Sequence, residues 1–104
     1  MKYLISFYAP ETHLEAVKEA MFAKGAGNFA KYSKCAWQTE GVGQFYPEVG
    51  SDPYLGQSGK IEHIKEYKVE MICKKSCLEE AVKALKQAHP YEEPAYNVIL
   101  LEQS

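Results

Sequence analysis

Residues 66–85 read EYKVEMICKKSCLEEAVKAL, and their hydrophobic pattern changes period half-way along. In the first half, apolar or aromatic side chains alternate with charged ones; the former are Tyr67, Val69, Met71 and Cys73, and the latter are Glu66, Lys68 and Glu70. Such alternation predicts a strand with one buried face. In the second half, the apolar side chains follow the spacing of one helix face, at Leu78, Ala81, Val82 and Leu85. The stretch therefore predicts a half-buried strand that leads into an amphipathic helix.

This helix has recognisable signals at both ends. Ser76 and Glu79 have the spacing of a capping box, in which each side chain bonds the backbone amide of the other residue. At the other end, Pro90 disfavours helical backbone angles at the residue before it. We therefore expect the helix to begin at Ser76 and to end at or before His89.

A second capping box, at Thr12 and Glu15, predicts an earlier helix in the first quarter of the chain. Gly25 and Gly27 follow it, and glycine commonly ends a helix because it adopts left-handed backbone angles without strain. The first helix is therefore expected to end just before Gly25.

Four segments have the pattern of strands, at residues 2–8, 31–39, 61–74 and 95–101. A long loop rich in glycine and aromatic residues, residues 40–60, separates the second strand from the third. The order β-α-β-loop-β-α-β is that of a ferredoxin-like α+β fold, with both helices on one face of an antiparallel sheet. At 104 residues we expect a single domain.

Several strands are also apolar on the face that the helices leave open. The side chains concerned are Leu4 and Tyr8 on the first strand, Ile64 and Ile72 on the third, and either Tyr96, Val98 and Leu100 or their alternates on the last. Burial of apolar area contributes roughly 25 cal/mol per Å², so several such side chains favour association. We predict a homo-oligomer whose sheets face one another.

The charge of the chain argues against nucleic acid and membranes as partners. The net charge is -2, and all 12 basic residues are lysine, whereas bidentate recognition of phosphate is mainly a property of arginine. No stretch approaches the roughly 20 apolar residues of a membrane span. The 3 cysteines, an odd number without a secretory signal, predict free thiols in a reducing compartment. The expected location is the cytoplasm.

Residues 87–98 read QAHPYEEPAYNV and form a corner between the second helix and the last strand. In one interpretation, the prolines only fix a turn and the glutamates are solvated. In the other, His89 and one of the glutamates, with a tyrosine hydroxyl nearby, bind a metal ion or a small polar ligand. Imidazole and carboxylate together are a plausible ligand set for a divalent metal ion. The residues alone leave both interpretations open.

The candidate ligand-binding residues come from this corner and from the loop, and they are His89, Tyr91, Glu92, Glu93, Gln44 and Phe45. The candidate metal ligands are His63, His89 and Glu92. No catalytic residue is predicted. Cys73 and Cys77 lack the spacing of a zinc site, and no serine or cysteine has a recognisable base beside it. The glycines of the loop match no phosphate-binding motif.

Two motifs resemble a known family. They are Thr39-Glu40-Gly41-x-Gly43-Gln44-Phe45-x-Pro47, followed by Gly50, Pro53, Gly56 and Gly59, and His89-Pro90-Tyr91-Glu92-Glu93-Pro94-Ala95-Tyr96. Together with the opening strand and helix, they make nearly the whole chain resemble the insert domain of the Ngg-interacting-factor-three-like family, YqfO type. The resemblance implies a fold similar to that of P-II signalling proteins and CutA-like copper-tolerance proteins, whose ferredoxin-like subunits assemble as trimers.

In full-length members of that family, the insert lies within a larger, hydrolase-like domain that carries a dinuclear metal site. The ligands of that metal site have no counterparts in these residues, so we expect a stand-alone insert domain without the family's catalytic centre. By the same resemblance, residues 40–60 correspond to the P-II loop that contacts partner proteins, and clefts between subunits correspond to effector sites.

The leading hypothesis is a non-enzymatic ligand- or metal-binding, regulatory module that forms a homotrimer. Its loop 40–60 and its HPYEEP corner would line clefts between subunits. The alternative is an accessory subunit of a metal-dependent hydrolase, or such an enzyme itself.

Overall fold

The computed structural model of the protein describes residues 1–51 and 57–102. Its elements are, in chain order, β1 (Lys2–Pro10), α1 (Leu14–Phe22), β2 (Trp37–Phe45), β3 (Glu62–Lys74), α2 (Lys75–Ala88) and β4 (Tyr96–Leu100). The strands form one antiparallel sheet in the order β2-β3-β1-β4. The predicted ferredoxin-like α+β fold is confirmed. Pro53, Tyr54 and Gly56 of the predicted loop lie outside the described residues.

The core lies between the sheet and the two helices, which both cover the same face. The strands contribute Ile5, Phe7, Ala9, Val69, Met71 and Cys73, and the helices contribute Leu14, Val17, Met21, Ala81 and Leu85. The alternation predicted for β3 is confirmed, because Val69, Met71 and Cys73 are buried. Leu78 and Val82 of the predicted helical stripe are partly buried against this core.

The predicted helix starts are wrong in detail. The residue that caps α1 is His13, which makes no side-chain capping bond, and the Thr12 hydroxyl instead lies 2.9 Å from the His13 Nδ1. The residue before α2 is Lys74, in an extended conformation. Because β3 continues into α2 without a gap, the chain turns one residue before Ser76, which then lies inside the first turn.

The predicted helix ends are confirmed. α1 ends at Phe22, and Gly25 follows with a left-handed φ of +98°. Any side chain at that position would be strained, and it would also contact the Cys77 side chain. α2 ends at Ala88, and His89 follows in an extended conformation, as the next residue Pro90 requires.

β2 was predicted at residues 31–39 but lies at Trp37–Phe45, so six residues of the predicted loop belong to the strand. Ala30 and Lys34 have left-handed backbone angles, with φ of 52° and 57°, which no strand can accommodate. β2 is an edge strand, and its side chains are mostly exposed. Its position is therefore decided by pairing with β3 rather than by a hydrophobic pattern of its own.

The helix-free face of the sheet is partly apolar. Pairing places Leu4 beside Ile72 on one side and beside Ile99 on the other, and the three side chains share this face. On β4 the alternates Asn97 and Ile99, rather than Tyr96, Val98 and Leu100, lie on the helix-free face.

Among the described residues, no helix is long and apolar enough to cross a membrane.

Candidate functional site

A cavity of about 400 Å³ lies at one end of the helix-free face. Five of its lining residues are predicted ligand-binding residues, namely Gln44, Phe45, Tyr91, Glu92 and Glu93. The other lining residues are Tyr8, Pro47, Ser51, Glu66 and Ala95. The end of β2 and the HPYEEP corner are far apart in sequence, and the strand order places β3 and β1 between them. The volume is within the range of roughly 300 to 1,000 Å³ typical of small-molecule sites.

Aromatic rings form much of the wall. Phe45, at the end of β2, and Tyr91, in the corner, have ring centroids 6.4 Å apart and planes inclined at 47°. Tyr8, on β1, adds a third ring to the lining. The wall is thus assembled from three separate parts of the chain, and its shape depends on the register of the sheet.

His89, the sixth predicted ligand-binding residue, is buried behind this wall and does not line it. Its Nδ1 accepts a hydrogen bond of 3.2 Å from the Tyr91 backbone N–H, so its Nε2 carries the hydrogen and donates to the Tyr8 carbonyl at 2.6 Å. Its ring also meets the Tyr91 ring edge-on, with centroids 4.7 Å apart. Both ring nitrogens are therefore occupied by the backbone of lining residues.

Burial lowers the pKa of His89, and the positive charge of His13 acts in the same direction. The hydrogen bond to the Tyr8 carbonyl opposes this effect without cancelling it. The imidazole is therefore neutral at physiological pH. It acts as a rigid connection between β1 and the corner, and fixes the relative positions of Tyr8 and Tyr91.

His63 lies elsewhere. Its side chain is exposed on β3, where it pairs with Gln44 of β2 and donates a hydrogen bond of 2.9 Å from Nε2 to Oε1. The proposed metal ligands His63, His89 and Glu92 do not come together: within residues 1–51 and 57–102, no three His, Cys, Asp or Glu side chains form a group that could hold a metal ion.

Glu66 is a lining residue that sequence reasoning did not identify as part of a site. It lies on β3, opposite Gly41 of β2, and its side chain is half-buried. A side chain at position 43 would overlap its carboxylate, so Gly43 provides the space that this carboxylate occupies. The alternation of charged residues along β3 predicts only which face of the sheet Glu66 lies on. The contact of its carboxylate with Gly43 depends on how β2 pairs with β3, which the pattern does not show.

The electrostatic environment of Glu66 is unusual for this chain. Burial raises its pKa above the ordinary value of 4.5, and no neighbouring positive charge opposes this shift. Within the described part of the chain, its carboxylate makes no hydrogen bond and no ion pair. Lys68, two residues along β3 on the same face, lines a second cavity together with Glu66, whereas Lys65 pairs with Glu11 and Glu40 on the helix side.

A second cavity, of about 390 Å³, continues along the helix-free face of β2 and β3. It shares Tyr8 and Glu66 with the first cavity, and its other lining residues are Thr39, Glu40, Gly41, Val42, Lys68 and Glu70. The two cavities therefore adjoin on this face, and Glu66 and Tyr8 lie between them.

Known proteins share both the sequence and this architecture. A Bacillus cereus protein related to NIF3 has a solved structure that superposes with a TM-score of 0.84 at 35% identity. The match covers 98% of this chain and 26% of that one. This chain is homologous to one part of the NIF3-related proteins. The resemblance seen in the glycine motif and the HPYEEP corner is thereby confirmed.

Curated relatives agree with the NIF3-related match. The protein named GTP cyclohydrolase 1 type 2 homolog is 38% identical in Halalkalibacterium halodurans, over 92% of this chain, and 36% identical in Bacillus subtilis, over 96%. The chain spans about a quarter of the length of these relatives, 26% and 27% respectively. No protein-family model matches the sequence.

CutA proteins share the fold of this chain but, unlike the NIF3-related proteins, only a low level of sequence identity. The structure of the periplasmic divalent cation tolerance protein CutA from Archaeoglobus fulgidus superposes with a TM-score of 0.71 at 20% identity. That match covers all of this chain and 87% of the CutA chain. The predicted CutA-like architecture is confirmed.

Proposed function

We propose that this protein is a non-enzymatic module that binds a small ligand in the cavity between the end of β2 and the HPYEEP corner. The main support is that five of the six residues predicted as ligand-binding line one cavity of about 400 Å³. The sixth, His89, is bonded to the backbone of two lining residues. No nucleophile with an adjacent base lies in the described lining, so binding is favoured over covalent chemistry.

The geometry favours an organic ligand over a metal ion. A metal needs unprotonated nitrogens or carboxylate oxygens that converge on one point. Both nitrogens of His89 are already hydrogen-bonded, and the exposed His63 bonds Gln44. Elemental analysis of untagged protein after metal addition and dialysis tests this point, and the proposal expects no stoichiometric metal.

A fragment screen by ¹H–¹⁵N NMR tests the proposed site directly. Fragments that bind should shift the amide signals of Phe45, Glu66 and Tyr91, and Phe45→Ala should weaken these shifts. Phe29→Ala is the matched control, because Phe29 is an exposed phenylalanine outside the cavity. The proposal is wrong if no fragment of any charge shifts the lining residues, or if both variants behave alike.

We further propose that the module is a cytoplasmic homotrimer. The support is the apolar surface of the helix-free face, together with the resemblance to trimeric ferredoxin-like proteins. Residues 40–60 remain the proposed contact for a protein partner, although residues 40–45 belong to β2 and only the described remainder of that segment is loop.

The alternative function, an accessory subunit of a metal-dependent hydrolase or the hydrolase itself, is favoured by the names of the curated relatives. GTP is the substrate that those names suggest, but the cavity has three glutamates and no lysine among its described lining residues. Glutamates repel a triphosphate. Binding of GTP to the purified chain, or recovery of a hydrolase domain in a pull-down, would support the alternative; neither outcome is expected if the cavity is the functional site.

A further inference from the structure

The cavity at the β2 end and the HPYEEP corner has the electrostatic character of a cation site. Glu66, Glu92 and Glu93 all line it, and no described lining residue carries a positive charge. The chain contains no arginine that an anionic ligand could use. Since carboxylates favour positive charge and repel anions, the lining selects against phosphates and carboxylic acids.

Its aromatic wall has the second property that a cation site needs. The negative face of an aromatic ring attracts a cation that lies within about 6 Å of the ring centroid. The centroids of Phe45 and Tyr91 are 6.4 Å apart and their planes are inclined at 47°, so one cation can lie within that range of both rings. Tyr8 provides a third ring in the same lining.

Glu66 provides a carboxylate that has no other use in the described chain. It is half-buried, Gly43 leaves room for it, and burial raises its pKa. A desolvated carboxylate gains more from a bound cation than a fully hydrated one does. Lys68, the next residue on this face of β3, lines the adjoining cavity but makes no ion pair with Glu66 in the described chain, so this gain is left to a ligand.

The apolar and aromatic side chains of this wall favour an organic cation over an inorganic metal ion. Apolar rings and the side chains of Pro47 and Ala95 make no bonds to a metal, but they favour a ligand that has apolar surface to bury. A methylated or alkyl ammonium compound has both properties, since its charge is spread over carbon-bound hydrogens.

We propose that the cavity binds an organic cation, an ammonium group that carries methyl groups or an apolar chain, with the charge held between Glu66 and the rings of Phe45 and Tyr91. This inference rests on the proposed function and specifies its ligand class. It predicts that the cavity distinguishes a cationic ligand from a neutral ligand of the same shape.

Choline and 3,3-dimethylbutan-1-ol test the discrimination, because they have nearly the same shape and differ in charge. NMR titration should show choline shifting the signals of the lining residues, with an affinity about tenfold or more above that of the neutral alcohol. Benzoate serves as the anionic probe, and zinc alone serves as the metal probe. Neither is expected to bind at the lining residues.

Two variants locate the charge. Glu66→Gln should reduce choline affinity about tenfold, and Glu79→Gln is its control because Glu79 is exposed on α2 outside the cavity. Phe45→Leu keeps an apolar side chain but removes the ring, so it should weaken choline binding and leave the neutral alcohol unaffected. Circular dichroism of each variant confirms folding, and either variant alone suffices for the test.

Three outcomes separate the ligand class from the site itself. Equal binding of choline and the alcohol, or unchanged choline affinity in Glu66→Gln and Phe45→Leu, would overturn the cation proposal. Neutral or anionic fragments that bind in the cavity when choline does not would overturn it and leave the proposed function intact. If no probe of any charge shifts the lining residues, both proposals fail.

Discussion

His89 shows how one buried side chain can organise a binding wall without lining it. It connects the end of β1 to the corner by two hydrogen bonds to backbone atoms, one to the Tyr8 carbonyl and one from the Tyr91 amide. Each buried polar group that loses such a partner lowers the stability of the folded protein by about 1 to 3 kcal/mol. The stiffness of the HPYEEP corner and the shape of the cavity therefore depend on the same imidazole.

The protonation of His89 makes stability depend on pH. Burial lowers the pKa of His89 in the folded protein. When the pH falls below the ordinary value of 6.5, the imidazole therefore binds a proton in the unfolded chain while it stays neutral in the folded one. The contribution of His89 is thus fully present above 6.5 and decreases as the pH falls towards the lowered pKa. Urea unfolding of wild type between pH 7.5 and 5.5 should show this decrease, within the window of roughly one unit on either side of an ordinary histidine pKa.

The matching variant is His89→Gln, which keeps one donor and cannot be protonated. It should unfold more easily at neutral pH by about 1 to 3 kcal/mol, and its stability should change less between the two pH values. His63→Gln, on the exposed part of β3, should keep the wild-type slope. An unchanged slope in His89→Gln would show that another group causes the pH dependence.

Glu66 should destabilise the folded protein at neutral pH. Burial raises its pKa, so the folded state favours the protonated carboxyl, and stability is lost as the pH rises through that raised value. Glu66→Gln should therefore increase the free energy of unfolding at pH 7 by a few tenths to about 1 kcal/mol, a modest amount because the group remains partly hydrated. The gain should shrink near pH 4.5, the ordinary value for the carboxyl. Glu62→Gln should give no comparable gain; equal gains would assign the effect to net charge.

At the scale of the elements, the sequence predicts whatever is local and periodic. β3 and α2 follow from the alternation around Val69 and the stripe around Leu85, because burial on one face imposes those periods. β2 was misplaced because WQTEGVGQF has no such period: it is an exposed edge strand held by pairing with β3. Five of the ten residues that line the cavity could be named from the two sequence motifs, whereas Glu66 and Tyr8 required the register, which brings distant strands together.

Gly41 and Gly43 on β2 offer a matched pair for testing this register. A Cβ at position 41 would meet nothing, whereas one at position 43 would overlap the Glu66 carboxylate. Gly41→Ala should stabilise the protein by about 0.4 to 1 kcal/mol, because alanine reduces the freedom of the unfolded chain.

Gly43→Ala should fold as well, because the end of the Glu66 side chain can move aside, but it should gain less stability than Gly41→Ala. The displaced carboxylate becomes more hydrated, so the pKa of Glu66, measured by NMR, should move down towards its ordinary value of 4.5. If the two alanine variants have the same stability and the same Glu66 pKa, the described approach of β2 to Glu66 is wrong.

At the scale of the whole molecule, the helix-free face must either meet water or another chain. Leu4, Ile72 and Ile99 lie side by side on it, and Ile99 is 52% exposed in the single chain. Trp37, which shares this face by its pairing with Glu70, is 69% exposed. Apolar surface of this kind on a sheet face commonly marks an interface.

If copies of the chain cover this face, Ile99→Lys should dissociate the assembly, because it would place an unpaired charge in a buried interface. Light scattering should then give three times the chain mass of 11.8 kDa for the wild type and the single-chain mass for the variant. Tyr32→Lys is the control, since Tyr32 is 72% exposed in the connection between α1 and β2, outside the sheet and outside residues 40–60. A wild type with the mass of one chain would remove the trimer, and the cavity would then have to bind its ligand with the residues of one chain alone.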